Sequence, residues 1–459
     1  MKVNLLKYWD RIRTSFWFLP AAMAAGAVAL SFATVELDRA AEDRWLSSVD
    51  WVYAGGAEGA SSVLETIAGS MITVAGVVFS LTLVALTLAS SQFGPRLLRN
   101  FMRDTTNQMV LGTFVATFLY CLLVLRTLRF TEGDVFVPHL SVTLGLLFAV
   151  ASLGVLIYFI HHVSVSIQAD QVVSRVSAEL LEGIDGLFPE QIGAPAAGPR
   201  AAPDAGALER LDRDGRSVQS ASDGYLQLVD ADTLMDLAVD EDILVQVLCR
   251  PGDYVVAGSP LAKISPGGKL DEGLTARVNA VFALGEQRTP VQDIEFAVRQ
   301  LVEIAVRALS PGVNDPFTAI SCLDRLGSAL CRVAQREFPS PYRQDDQGAL
   351  RVVAPATTFR TIVDVAFNDI RAYARSSATV TIRLLHTITA VARCIRRPAD
   401  KAVLREHVQM IARGSEGGLP EANDRRAVAS ALRLAMRALE ANVQGAEPGD
   451  MRPHPEAEV

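Results

Sequence analysis

Residues 71–104 read MITVAGVVFSLTLVALTLASSQFGPRLLRNFMRD and join an apolar segment to a basic one. The first half is apolar enough to cross a lipid bilayer, which takes about 20 predominantly apolar residues in a helix. Hydroxyl side chains nevertheless recur through this half, and a Gly-Pro pair followed by arginines ends it. The stretch therefore predicts a transmembrane helix with a polar stripe and a break at its end.

Together with Val77 and Val84, five hydroxyl residues of this span recur at alternating steps of three and four residues. They are Ser70, Thr73, Ser80, Thr87 and Ser91. At about 100° per residue these positions fall on one stripe of a helix, with Gly69 and Gly76 beside it. Hydroxyl groups in a membrane helix either line a water-filled path or pack in a close seam between helices. Both interpretations stay open, and the opposite face should meet lipid or other spans through Met71, Val74, Val78, Phe79 and Leu86.

The end of this span predicts a hinge and a helix that lies on the membrane surface. Gly94 and Pro95 form the hinge. Beyond them, the basic face of the surface helix carries Arg96, Arg99 and Arg103. The other face is apolar, as in helices that lie in the plane of the interface.

Four apolar blocks predict four transmembrane helices, at about residues 15–35, 67–90, 108–125 and 140–160. Basic residues are concentrated before the first block and between the second and third, whereas residues 36–65 are acidic. Because basic flanks stay on the cytosolic side, both termini should be cytosolic and the acidic segment should be outside.

Composition and motifs narrow the range of functions. The chain has 459 residues and a formal net charge of −8, which argues against nucleic acid as a partner. Its five cysteines form no CxxC pair, so neither a disulfide framework nor a zinc site is expected. The GxxxxGK[ST], HExxH and GxSxG motifs are absent from the sequence. We therefore expect no catalytic residues, no enzymatic activity, no cofactor and no bound metal.

The remainder of the chain predicts a cytosolic α+β region after the transmembrane domain of residues 1–164. A helix leaving the membrane (165–187) should be followed by a Pro/Ala/Gly-rich linker, a small β module, a helical domain and a disordered tail. These last four segments are predicted at residues 188–217, 218–275, 276–442 and 443–459. The fold class is therefore an α-helical membrane protein with four spans and a cytosolic α+β region.

Two local motifs predict helix starts in the helical domain. Thr289 to Gln292 reads as a capping box with proline at the first helical position. Asp315 and Pro316 predict a second cap and first helical residue, at the end of the motif Ser310, Pro311, Gly312, Asn314, Asp315 and Pro316. Phosphate or metal chemistry at this motif is less favoured than a turn that caps a helix.

The order of these motifs resembles one bacterial family. The motifs are "VVFSLTLVALTLASSQFGPRLL", "RPGDYVVAGSPLA" and "RTPVQDIEFAVRQLVEIAVRALSPGVNDPFTA". The family consists of predicted membrane proteins with a domain of unknown function. The resemblance covers nearly the whole chain and implies a bacterial inner-membrane protein, but it implies no activity.

The leading functional hypothesis is a homo-oligomeric channel whose second span lines a pore for a small ion. No span carries an ionisable residue near its middle, which argues against a secondary transporter. Four spans are few for one chain to enclose a path, so the channel needs further copies of itself in the lipid bilayer. The alternative is a membrane-anchored scaffold or sensor whose cytosolic domain binds a partner or ligand.

Overall fold

The computed structural model describes residues 17–40, 53, 55–94, 104–131, 134–166, 168–187 and 205–441. The chain divides into two compact units, residues 1–172 and 173–459. The linker residues 188–204, the tail from 442 and the N-terminal 16 residues lie outside the described part.

The first unit contains four long apolar helices and a short hairpin. The helices are α1 (Phe18–Ala40), α2 (Ala57–Phe93), α3 (Thr105–Leu125) and α4 (His139–Ser166). The hairpin pairs β1 (Arg129–Thr131) with β2 (Asp134–Phe136), antiparallel, between α3 and α4. All four helices are long and apolar enough to cross a membrane. This confirms the predicted set of four candidate spans.

Helix α2 is much longer than its predicted span. With 37 residues it extends about 55 Å, well beyond the roughly 30 Å of hydrocarbon in a bilayer. It begins at Ala57, inside the segment predicted as an acidic loop, because Ala60 and Leu64 there pack in the core of the unit. Hydropathy marks the apolar part of a helix but not the end of its hydrogen-bonded backbone. The prediction therefore placed the start of this helix too late.

The core of the first unit is filled by apolar side chains. Helix α3 packs against α1, α2 and α4. Tyr120, Cys121 and Phe114 of α3 are fully buried, and so are Val78 of α2 and Phe159 of α4. These large side chains occupy the space between the four helices.

The chain after α4 does not continue as one helix. The Gln168 N–H donates to the Val165 carbonyl, a tight turn that ends the α4 ladder, and the Val172 N–H donates to the Gln168 carbonyl and opens the next one. The second helix, α5 (Ala169–Leu187), buries its own apolar stripe, which includes Leu180 and Ile184. The predicted helix leaving the membrane is therefore α5, a separate helix that begins after a turn and does not run on from α4.

The second unit starts with two small sheets and three helices. In chain order these are α6 (Ala205–Asp214), β3 (Arg216–Gln219), β4 (Gly224–Val229), α7 (Ala231–Asp240), β5 (Leu244–Val247), β6 (Tyr254–Val255), β7 (Pro260–Ser265), α8 (Glu272–Val281) and β8 (Phe282–Gly285). Two later strands are β9 (Tyr342–Gln344) and β10 (Leu350–Val353). The sheet orders are β3-β7-β5-β10-β9 and β6-β4-β8. Only β5 and β10 pair in parallel among these strands.

The structure corrects two predicted boundaries. The end of the predicted linker folds as α6 and the start of β3, because Ala207 and Leu211 pack on Leu244 and β3 pairs with β7. The predicted all-helical segment 276–442 supplies β8, β9 and β10 to the sheets. Pairing between β5 and β10 joins distant parts of the chain, and local periodicity carries no information about such a partner.

The rest of the second unit is helical. Its helices are α9 (Ile294–Ala308), α10 (Pro316–Gln335), α11 (Phe359–Ala374), α12 (Ala378–Cys394), α13 (Pro398–Gly418) and α14 (Ala422–Glu440). The Asp315 carboxylate caps α10 by accepting the N–H groups of Phe317 and Thr318, as predicted. The capping box predicted at Thr289 was wrong, since Asp293 caps α9. The Gln292 side chain bonds instead to the Val229 backbone.

Candidate functional site

The predicted hydroxyl stripe lies on the outer face of α2. The opposite face contacts the other helices through buried Ala75, Val78 and Ala89. The hydroxyl residues of the stripe are all exposed in the single chain, and they are Ser70, Thr73, Ser80, Thr87 and Ser91. The structure thus brings them onto one surface that the other three membrane helices leave uncovered.

Most hydroxyls of the stripe bond to their own helix. Ser70 donates to the Thr66 carbonyl at 2.7 Å, and Thr73 donates to the Gly69 carbonyl at 2.8 Å. Thr87 and Ser91 make equivalent bonds one turn back. The Ser80 hydroxyl has no such partner among the described residues. A hydroxyl without a partner in an apolar medium costs free energy, so Ser80 favours contact with water or with another polar group.

The two glycines beside the stripe leave open space. A Cβ atom built on Gly69 or Gly76 would meet no atom within 4 Å in the described part of the chain. Small residues of this kind allow a neighbouring helix to approach closely. Because the other spans do not fill this space, the described residues form no packing seam with the stripe inside the single chain. The stripe is free to meet water, lipid or another copy.

A buried carboxylate caps the start of α4. Asp38, near the end of α1, accepts the Leu140 and Ser141 N–H groups, each at 2.9 Å, and the Ser141 hydroxyl at 2.6 Å. A negative charge at a helix N-terminus is stabilised by the helix dipole and by the free N–H groups there. In the sequence, Asp38 lies in the acidic segment 36–65 that was predicted to be outside. The start of α4 at Pro138-His139 has no local capping residue, and this could have indicated a cap from a distant part of the chain.

Hydrogen bonds connect this cap to α3. The Tyr120 hydroxyl donates to the Ser141 carbonyl at 3.1 Å and lies 3.0 Å from the Thr34 hydroxyl. His139 contributes a further contact, with Nδ1 2.7 Å from the Tyr53 carbonyl. The cluster therefore ties α1, α3 and α4 together at one end of the unit.

A second polar contact lies at the opposite end of these helices. His162 Nε2 is 2.8 Å from Asp104 Oδ2, and Asp104 Oδ1 accepts the Thr106 N–H that begins α3. The Tyr158 ring stacks on the His162 ring with centroids 5.9 Å apart. Within the described residues, no group of three or more His, Cys, Asp and Glu side chains is arranged to hold a metal ion.

Part of the predicted hinge region is described. Gly94 ends α2 with a φ angle of 109° and donates its N–H to the Ser90 carbonyl. This left-handed backbone suits glycine. Pro95 and the basic helix of Arg96, Arg99 and Arg103 lie outside the described residues, and the surface helix stays a prediction.

The motif of residues 310–316 forms a tight, exposed turn before α10. Asn314 has a φ angle of 49°, which is uncommon for a residue other than glycine. The Ser310 hydroxyl donates to the Arg307 carbonyl at 2.6 Å. Pro311 and Gly312 complete the turn on its exposed side. These contacts are those of a helix connection, and Phe317 just after it is 75% exposed.

Four apolar helices followed by a compact α+β unit define a multi-span helical membrane protein. The chain belongs to the family described as "Predicted membrane protein (DUF2254)", whose sequence profile matches residues 13–390. It is 32% identical over 467 residues to the uncharacterized protein Rv1290c of Mycobacterium tuberculosis, covering 97% of this chain and 84% of that protein. The uncharacterized protein Mb1321c of Mycobacterium bovis matches with the same identity and coverage. No solved structure matches the chain significantly.

Proposed function

We propose that the protein is a homo-oligomeric channel of the bacterial inner membrane, in which α2 of each copy faces a common axis. The observation that carries this proposal is the uncovered stripe of hydroxyl residues and glycines along α2. A hydroxyl group in lipid costs free energy unless it is hydrogen-bonded, and small residues allow helices of several copies to approach closely. Ser80 strengthens the argument, since its hydroxyl has no partner within the described chain.

The core of the first unit favours a path between copies over a path inside one copy. Tyr120, Phe114 and Phe159 fill the space among the four helices with less than 2% exposure each. A water-filled path through this space would need those side chains to move. An axis shared by several α2 helices needs no such rearrangement.

The charge pattern adds a direction to the proposed channel. In this proposal the termini are cytosolic and the acidic residues around 36–65 face outside. Such a surface raises the local concentration of cations near the mouth. Small cations are therefore the proposed permeant species.

The second candidate function is a membrane-anchored scaffold or sensor. The specific observation favouring it is that Ser70, Thr73, Thr87 and Ser91 satisfy their hydroxyls on their own backbone. Hydroxyls satisfied in this way need no water. In this alternative the stripe of α2 packs directly against α2 of another copy.

Ion flux in proteoliposomes separates the two candidates. Replacing Ser80 with Leu should abolish cation flux and leave the oligomer intact, because a ring of large apolar side chains dewets a pore. Ser164→Leu is the matched control, since Ser164 is an exposed hydroxyl on α4 that bonds to the Ile160 carbonyl. It should leave flux unchanged. Absence of flux from the unmodified protein, together with failure of Ser80→Leu to assemble, would favour the scaffold.

A further inference from the structure

A polar cavity of about 240 Å³ lies in the second unit, where the turn before β6 meets the start of α9. Its walls include three arginines, Arg250, Arg288 and Arg299. Three carboxylates lie among them, so the cavity is not simply basic. Its chemistry depends on which of these charges already have partners.

Arg288 is fully engaged. Its Nε and Nη2 lie 2.9 Å and 2.5 Å from Oδ2 of the buried Asp293. The same carboxylate caps α9 through the Phe296 N–H. Burial raises the pKa of Asp293, and Arg288 opposes that shift by stabilising the charged form. This pair holds the cavity wall together and leaves little capacity for a ligand.

Arg250 is only loosely engaged. Its Nη1 lies 3.6 Å from Glu295 Oε1, beyond normal hydrogen-bond length, and its side chain is 40% exposed. The Asp253 carboxylate accepts the backbone N–H of Arg250 at 2.8 Å and so shapes the turn. The Arg250 guanidinium can therefore accept a second partner with little rearrangement.

Within the part of the chain that the structure describes, Arg299 is the least engaged of the three arginines. Its Nε is buried, and no hydrogen-bond acceptor reaches it in the described part of the chain. A buried donor left unpaired costs free energy. The N–H group calls for an oxygen acceptor, and the positive charge of the guanidinium favours an acceptor with negative charge.

We propose that this cavity binds a small oxyanion of the phosphate class, held by Arg299 and Arg250. The planar fork of a guanidinium matches the oxygens of phosphate in pairs. The lining is predominantly polar, which disfavours a ligand with a large apolar body. The volume exceeds the roughly 30 Å³ of one water several times, so a diphosphate group fits. The proposal does not depend on α2 lining a pore.

Calorimetric titration of the full-length protein in detergent with inorganic pyrophosphate tests the site. The unmodified protein should bind one pyrophosphate per chain with saturation. Arg299→Gln should weaken binding by about tenfold or more, as expected for the loss of a charge-assisted contact. Since Arg299 makes no ion pair in the described chain, the variant should keep its unfolding temperature.

Two further variants keep the test decisive. Arg250→Gln removes the other proposed ligand arginine at a more exposed position and should also weaken binding about tenfold. Arg343→Gln removes an exposed charge on β9, outside the cavity, and should leave the affinity unchanged. Absence of saturable binding to the unmodified protein would overturn the proposal. Equal weakening by Arg343→Gln would overturn it too, because binding would then follow overall charge.

Discussion

Two glycines near β6 share a left-handed backbone but differ in their surroundings. Gly252 has a φ angle of 97° and Gly258 one of 80°. A Cβ on Gly258 would meet nothing within 4 Å, whereas one on Gly252 would clash with the Asp293 carboxylate. We expect Gly258→Ala to cost about 1–2 kcal/mol from backbone strain. Gly252→Ala should cost roughly 1–3 kcal/mol more from overpacking. Chemical unfolding of both variants measures the difference, and equal losses would contradict this account.

His407 makes the stability of the second unit depend on pH. The side chain is fully buried on α13, with Nε2 2.9 Å from Asp364 Oδ1. Burial lowers the pKa of His407 below its ordinary 6.5, and Asp364 only partly offsets this. Since the unfolded chain binds the proton more readily, the free energy of unfolding should fall as pH drops below about 6.5.

Thermal unfolding at neutral and mildly acidic pH tests the assignment to His407. His407→Gln should reduce the pH dependence, and this readout is independent of any uniform loss of stability from changed packing. His386→Gln changes an exposed histidine on α12 and serves as the control. If His386→Gln reduced the pH dependence as much as His407→Gln, the assignment would be wrong.

At the scale of elements, α1 determines how α4 begins. Both Asp38 oxygens accept hydrogen bonds from the first turn of α4. In Asp38→Asn, the amide NH₂ would replace one carboxylate oxygen. This NH₂ group would then face a hydrogen-bond donor of α4, so that bond would be lost. We expect a loss of roughly 1–3 kcal/mol in unfolding free energy, measured by thermal unfolding in detergent. Glu36→Gln, which changes an exposed ion pair with Arg39, should have little effect. Similar losses of unfolding free energy in both variants would contradict the assignment of the effect to the Asp38 cap.

At the scale of the whole molecule, the proposed orientation predicts which positions a membrane-impermeant reagent can reach. A cysteine at Ser48 should label in intact spheroplasts, because the acidic segment should be outside. A cysteine at Ser217, exposed on β3, should label only after lysis. The native cysteines Cys121, Cys249 and Cys322 are buried, whereas Cys331 and Cys394 are partly exposed and are replaced by serine for this test. Labelling of position 217 before lysis, with none at 48, would reverse the orientation.

The sequence predicted the elements that follow from local pattern. Four spans are visible in hydropathy because a bilayer requires about 20 apolar residues in a row. The hydroxyl stripe of α2 is visible because helical period alone places its members on one face. The Asp315 cap was equally predictable, since the capping residue and its donors are neighbours in the chain.

Other features depend on residues that are distant in sequence. Asp38 caps a helix that starts about a hundred residues later, and β10 joins a sheet built mainly from residues 216–265. The cavity around Arg299 arises where the turn at Gly252 meets α9. No local pattern identifies such partners.

Local sequence pattern is sufficient to predict the membrane helices, the α+β class of the second unit and the polar stripe of α2. The hydropathy of a span and the helical spacing of a stripe both depend on residues that are close together in the chain. A short segment of sequence is therefore enough to predict them. Among the described residues, the folded structure was needed to show that the stripe of α2 lies on the uncovered side of its unit and that no acceptor reaches Arg299 Nε. Exposure and pairing are properties of the packed chain, because they depend on which distant residues fill the neighbouring space.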